Sequence, residues 1–409
     1  MKTLIETVKD FFYIKQQINE GGASGHMAHP IDFKDFSAQD LKDIVNDMFS
    51  GKIEDVTEKI DGTNIQATMN NYGEVVFIRN QGDLNSERGG MSVSDMAEKW
   101  KAMPSVAETF VSAGKTITKV FEKIGKKFFN PDSETRIIAN CECVIEGVTN
   151  IMPYGTAQVD FHDIWVYKLQ NGKWINTEVT KTGLNTIEKA CEGVDNAQLT
   201  PRVIVNLTDQ SNTLAEKFCK EIDNIFGKNL TIDEWKHDRF FEYIKKEYPW
   251  MLDGRYDELY SRWFNGEKKM NLRDLKKIYA DHVDELVELD KKGYKTIVSK
   301  VVEPLDVLFL KFGNEVIKLC KGLINGSKND AVIKKLQTDI KEIVDDIKVT
   351  GSPDSQAKLI KQLERFEAVG GYDTINSTEG IVFRYKGKLM KLTGSFAVAN
   401  QLINLKYTK

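Results

Sequence analysis

The chain has 409 residues, 41% hydrophobic and 29% charged, with 57 Lys and Arg against 61 Asp and Glu, a formal net charge of −4. This length exceeds one small domain and the composition is that of folded protein, so two or three folded units are expected and disorder is excluded as the default. No apolar run approaches the roughly 20 residues that a membrane crossing needs. The start, MKTLIETVKDFFYIKQQ, carries acids early and lacks a secretory apolar stretch, so a cytoplasmic protein with no membrane partner is expected. The slight negative charge offers no global attraction to nucleic acid, which would need a local basic surface.

In chain order, residues 34–50 place Leu41, Ile44, Val45 and Met48 at helical spacing behind a possible N-cap, Ser37. A short strand then carries TEKIDGTNIQ (57–66), and GEVVFIRN (73–80) follows an Asn-Tyr-Gly turn, so the two read as a hairpin. Residues 92–128 are helix-patterned, 137–169 give two strands, and RVIVNLT (202–208) gives the last strand before a long helical stretch. Within that stretch Val332, Ile333, Leu336, Ile340, Ile343, Val344 and Ile347 form one apolar stripe. Gly370 and Gly371 end it, and EGIVFRYKGKLMKLTG (379–394) returns to strand, turn, strand around Lys386-Gly387-Lys388. The expected organisation is an N-terminal helical extension (1–50), a sheet-rich core split between 51–210 and 371–409, and a helical insertion (211–370). The fold class is α+β, with antiparallel sheets interrupted by a large helical insertion. Cys141, Cys143, Cys191, Cys219 and Cys320 form no CxxC pair and are expected to be free thiols.

Lys59 is the residue to explain. A free lysine has a pKa near 10.4, so only about a thousandth of it is the nucleophilic neutral amine at neutral pH. Desolvation, a nearby cation or a bound magnesium ion would raise that fraction, whereas Asp61, if close, would lower it. Gly62 permits a tight backbone turn.

The string Glu58-Lys59-Ile60-Asp61-Gly62-Thr63-Asn64 resembles the nucleotide-binding signature of covalent nucleotidyltransferases, most closely that of ATP-dependent RNA ligases from large tailed phages and kinetoplastid RNA editing. The resemblance implies a ligase adenylation-domain core in which Lys59 attacks the α-phosphate of ATP to form lysyl-AMP. It extends to further pieces in the family's order. Arg79, 79 − 59 = 20 residues after the lysine, would face the nucleotide or incoming phosphate. Glu142 in NCEC would accept from the ribose hydroxyls, with Glu146 as rival, while Cys141 and Cys143 take the opposite face. In VDFHDIWVY the adenine-stacking position falls on His162 or Phe161, which face opposite sides; register before Asp163-Ile164 favours His162 and leaves Phe161 to the core. Glu58 and Asn64 complete the nucleotide contacts. Glu379 in TEGIVFR would order a hydrated magnesium ion, and Lys391 in KLMKLTG would contact the α-phosphate. The family closes with two alternating lysines, but the second position here is Thr393, with Lys388 or Lys406 as stand-ins.

The expected activity is ATP-dependent RNA ligation: AMP passes to a 5′-phosphate, and a 3′-hydroxyl then displaces it. DNA ligation, AMP transfer to another target, or a non-catalytic nucleic-acid-binding relative are the alternatives. Only 15 residues follow Gly394, so no downstream domain is expected and gripping the polynucleotide falls to the insertion. Residues 235–269 mix Lys245, Lys246, Arg255 and Arg262 with many aromatics, a composition suited to phosphates and unpaired bases, or equally to an aromatic core with a wet charged face. Gly114-Lys115-Thr116 mimics the end of a phosphate-binding loop, but Thr109 stands where glycine is required. His237 and His282 carry no motif.

Overall fold

A computed structural model describes residues 27–409 apart from 61, 103, 145–157, 180, 253–254, 265–271, 293, most of 324–362, 377 and 400–409. The architecture is mixed, with antiparallel sheets and many helices, in two compact units. One unit contains Glu54–Ile204 and Ile317–Lys409, the other Ala28–Ile53 and Val205–Val316.

The first unit holds a six-stranded sheet. Its strands are β2 (Thr63–Met69), β3 (Val75–Ile78), β4 (Thr135–Val144), β5 (Gln158–Gln170), β6 (Lys173–Val179) and β7 (Ala197–Leu199). They run β3-β2-β4-β5-β6, antiparallel throughout, and β7 adds to β5 in parallel. Side chains alternate along each strand, so Ala139, Cys141 and Cys143 of β4 take one face, and Arg136, Ile138, Asn140 and Glu142 the other. Helix Pro104–Ile124 covers the first face. It sends Phe110, Ala113, Ile117, Val120 and Phe121, spaced for one side of a helix, against Ile65, Ala67, Phe77, Cys141 and Phe161. Burial of each large apolar side chain there contributes about 1.5–3 kcal/mol. Gly114 and Lys115 lie in the middle of this helix, so the phosphate-loop mimic has no loop. Burial pushes the thiols of Cys141 and Cys143 well up, and all five cysteines are free.

A three-stranded sheet joins distant sequence: β1 (Thr57–Lys59) pairs with β8 (Gly380–Tyr385), which pairs with β9 (Lys388–Thr393). Lys386 (φ 48°) and Gly387 (φ 75°) turn the β8–β9 hairpin, the double positive φ that a two-residue turn needs to match strand twist. Strands β1, β8 and β9 approach so closely at Gly380 that a Cβ there would lie 2.1 Å from the Leu392 carbonyl oxygen.

The second unit is helical. Ser37 caps helix Ala38–Phe49 in a reciprocal box with Asp40, and Leu41, Ile44, Val45 and Met48 are buried. This helix does not form a separate extension ending at residue 50. It packs on helix Ser211–Phe226, with Phe49 against Phe218 (6.1 Å) and Phe312 (5.5 Å). The split core also begins later than residue 51 and resumes at Ile317, well before 371. Of RVIVNLT only Ile204–Val205 is strand. The stripe 332–347 lies outside the described residues except for buried Ile340. Among the described residues no helix is long and apolar enough to cross a membrane.

Candidate functional site

The register of the small sheet fixes what surrounds Lys59. Lys59 lies opposite Gly380, which lies opposite Thr393; the neighbouring row is Thr57, Val382 and Lys391. Directly paired residues share a face, so Lys59 and Lys391 project to the same side. Glu58 takes the other side with Ile381 and Leu392 and is 2% exposed. Its neighbour there is Cys320, whose thiol is pushed up to about 12 by burial and by the Glu58 charge. Lys59 forms an ion pair with Glu379, 320 residues away in sequence, and both are largely buried.

The face of the large sheet opposite helix Pro104–Ile124 supplies the complementary groups. One row runs across four strands: Asn64 on β2, Glu142 on β4, Asp160 on β5 and Gln198 on β7. The next row holds Gln66, Asn140 and Asp163. The Asn64 side-chain amide donates to Asn140 Oδ1 at 2.9 Å and to Glu142 Oε2 at 3.5 Å. Gln158 and Gln198 donate to the two oxygens of Asp160, each at 2.7 Å.

Between Asn140/Asp163 and Cys141/Phe161 the pairing slips, leaving His162 as an extra residue on β5. This β-bulge re-aims its side chain. His162 Nδ1 lies 3.3 Å from Asp163 Oδ2, and the imidazole feels the charges of Glu142 and Asp160. Phe161 pairs with Cys141 on the covered face, is fully buried and packs 6.3 Å from Phe121. Phe161 is therefore a core residue and drops out of the nucleotide-binding set.

Electrostatics tie the two sheets together. Burial raises the Glu142 carboxyl to about 7 against the opposing pull of Lys59 and His162, with Glu379 adding to the rise. Burial likewise raises Asp160 to about 6. Burial alone would lower the His162 pKa, but Asp163, Glu142 and Asp160 outweigh it and the net shift is upward. Arg384 on β8 forms an ion pair with Asp163, which is 2% exposed, so one carboxylate anchors the small sheet to the imidazole of the large one.

Gly62 is required for a different reason than a turn. A Cβ there would lie 2.8 Å from the Cys143 carbonyl oxygen and 2.9 Å from Glu142 Cγ, so glycine lets the chain after Lys59 press onto the Glu142 strand. Arg79, just past the end of β3, is 7% exposed; its guanidinium donates to the Asn64 carbonyl and lies 5.4 Å from the centre of the Phe110 ring. Asp61 and Glu146 lie outside the described residues. Asp160, Asp163, Asn140 and Arg384 were not singled out from sequence. Only Asp163 left a signal, as the acid after the stacking position.

The helical unit gives its candidates another setting. Phe240, Tyr256, Tyr260, Trp263 and Phe264 are buried together as its core, leaving them no exposed ring face for bases. Lys245 and Lys246 are exposed near Glu242 and Glu247, Arg255 donates to the Ile278 carbonyl at 2.9 Å, and Arg262 pairs with Glu258 at 2.5 Å. His237 meets Asp257 at 3.3 Å, and His282 stacks on Trp250.

Comparison with protein-family models, curated proteins and solved structures finds no match. Chemically, the arrangement offers a lysine amine with a carboxylate beside it, carboxylate and amide groups able to accept from and donate to hydroxyls, and a largely buried imidazole.

Proposed function

We propose that this protein is an ATP-dependent nucleotidyltransferase of the RNA-ligase kind, with Lys59 as the residue that carries AMP. The observation that carries this reading is convergence: Lys59, Glu142, His162 and Glu379, spread over 320 residues of sequence, feel one another's charges or pair directly. In the proposed first step the neutral Lys59 amine attacks the α-phosphate, a P–N bond forms, and pyrophosphate leaves. The ion pair with Glu379 favours the ammonium form, so Lys59 must leave Glu379 and lose its proton before it can react. In this reading Glu142 and Asn64 accept from and donate to a ribose, and His162 lies against the base, which their shared neighbourhood supports. Lys391, on the same face as Lys59, neutralises phosphate charge in this reading.

No group of three or more Cys, His, Asp or Glu able to hold a metal ion occurs among the described residues. Glu379 fits magnesium in the way that ion is commonly held in nucleotide enzymes, by one or two carboxylates with substrate phosphates completing the shell. Bound there, magnesium would supply charge neutralisation at the phosphates.

The test is incubation with ATP labelled at the α-phosphate, followed by denaturing electrophoresis. Label should remain on the chain, and Lys59→Ala should abolish it; equal labelling of that variant sinks the assignment. Thr393, buried opposite Gly380 where the matched pattern has lysine, favours one second reading, a non-catalytic relative that keeps the nucleotide pocket. Nucleotide binding without any labelling would establish it.

A further inference from the structure

Past Glu142 the polar row continues onto two strands whose side chains have no task in the site described above. Asp160 on β5 lies directly opposite Glu142, and Gln198 on β7 lies directly opposite Asp160. Asp160 is fully enclosed, and its two carboxylate oxygens accept from the side-chain amides of Gln158 and Gln198, each at 2.7 Å. Burial raises its carboxyl only to about 6, so at neutral pH Asp160 is ionised and accepts without donating.

An acceptor-only partner fixes the sense of the amide that meets it. A glutamine side chain carries NH2 at one corner and a carbonyl oxygen at the other, and left alone it can turn over. With its NH2 held on Asp160, Gln198 must direct the oxygen away from that carboxylate. Gln198 is partly exposed, and among the described residues no side chain or backbone group donates to this oxygen.

The row also has a direction. Asn64 and Glu142 lie on β2 and β4, His162 on β5, and Gln198 on β7, across β5 from Glu142. From Glu142 to Gln198 is two strand spacings, about 10 Å. That is the scale of a nucleoside measured from its ribose hydroxyls to the far edge of its base. With the ribose at Glu142 and the base against His162, a neighbour of Asp160, the next group outward is the Gln198 carbonyl.

We propose that Gln198 selects the base of the bound nucleotide: its side-chain carbonyl accepts from the 6-amine of adenine, and Asp160 is the positioning residue that locks the amide in that sense. The inference rests on the nucleotide reading above and adds to it which base is taken and what takes it. A 6-oxo purine would set oxygen against oxygen and leave both acceptors without a donor. A site built around one hydrogen bond rejects a ligand that cannot make it.

The test is calorimetric titration of the full chain carrying Lys59→Ala, which cannot turn over, with ATP and with inosine triphosphate, in which an oxygen replaces the 6-amine. This parent should bind ATP at least about tenfold more tightly than the inosine nucleotide. Gln198→Leu should bring the two affinities together, chiefly by weakening ATP. Gln198→Lys offers donors only and should favour the inosine nucleotide. Asp160→Asn can donate as well as accept, so it frees the amide to turn and should reduce the preference while ATP still binds. Should Asp160→Asn not fold, the two variants at the partly exposed Gln198 carry the test. Equal binding of both nucleotides by the parent, or an unchanged preference in Gln198→Leu, overturns the proposal. Binding of neither nucleotide overturns it together with the reading on which it rests. α-Phosphate labelling of the chain that keeps Lys59, run alongside, separates the two. Labelling with an unmoved preference sinks only base selection, and a preference that collapses in Gln198→Leu without any labelling keeps base selection and sinks the enzyme.

Discussion

Two regions drew attention for polar and aromatic content, and they fold to opposite ends. In the sheet unit, Asn64, Asn140, Glu142, Asp160 and Asp163 lie on one face and are held by partners from three or four strands. In the helical unit Phe240, Tyr256, Tyr260, Trp263 and Phe264 turn inward, Lys245, Lys246 and Arg262 meet carboxylates within four residues, and Arg255 donates to the Ile278 carbonyl. Clustering of residue types along a helix is satisfied cheaply by an aromatic core and a wet charged face. Buried carboxylates drawn from separate strands are costly, and they persist where the surrounding structure compensates them. Charge convergence across sequence is thus the stronger indicator of a site than local composition.

The largest effect that would break this contrast is at Lys59. Lys59→Ala should abolish covalent labelling from ATP, and Glu379→Ala, which removes the carboxylate proposed to hold magnesium, should cut labelling at least about 100-fold even though it frees the Lys59 amine; gel autoradiography reads both. Nearly as large, Gly62→Ala should lower stability by about 2–4 kcal/mol and impair labelling, because the backbone oxygen of Cys143 cannot move away without breaking the sheet. Urea unfolding measures it, and a loss below about 1 kcal/mol would show that the close approach is not needed.

The pH dependence of stability sharpens the comparison. Glu142 and Asp160 have folded-state pKa values raised to about 7 and about 6, above their unfolded values of 4.5 and 3.8. Each binds its proton more tightly when folded, so its contribution is present at low pH and is lost as pH rises through the folded value. His162, also raised, is stabilising below 6.5 and loses that contribution as pH climbs through its folded value. All three act in one direction, so stability should fall between about pH 4.5 and 7.5, with Glu142 alone worth about 3 kcal/mol. Melting temperatures across that range test this, and Glu142→Gln should flatten the profile and stabilise the fold at pH 8. A flat wild-type profile would show the carboxylates to be better solvated than their burial implies.

Asp163→Asn should act between these extremes. It removes the anchor shared by Arg384 and His162, and a loss of about tenfold in labelling with a lowered His162 pKa, read by NMR titration, is expected. The smallest effect belongs to the helical unit. Replacing Lys245, Lys246, Arg255 and Arg262 together by Ala should weaken RNA joining only a few-fold, with the loss deepening as salt rises, since exposed cations with local partners contribute little each. A loss of about 100-fold or more in joining assays, with labelling intact, would reverse the contrast.

Much of the sheet unit was legible in the chain. Alternation in NCEC and VDFHDIWVY separated Glu142 and His162 from Cys141, Cys143 and Phe161, because side-chain direction in a strand is a local property. Period and capping likewise marked helix Ala38–Phe49 from Ser37 onward. Its membership in the helical unit was not legible, since the partner Ser211–Phe226 lies far along the chain. The need for Gly62 was visible, but not its cause, because Cys143 is a neighbour only in space.

By itself, then, the sequence determined the strands that carry Lys59 and Glu142, the strand that follows Glu379, helix Ala38–Phe49, and the side-chain direction where a strand is regular, since these follow from backbone geometry over a few residues; it left β6, β7 and helix Lys181–Cys191 unmarked. Tertiary structure alone decided that Lys59 meets Glu379, that a bulge turns His162 toward Asp163, that Arg384 reaches the same carboxylate, and that Gln198 meets Asp160. Those outcomes depend on strand pairing between segments up to 320 residues apart and on burial, and neither register nor burial is encoded in any single stretch of chain.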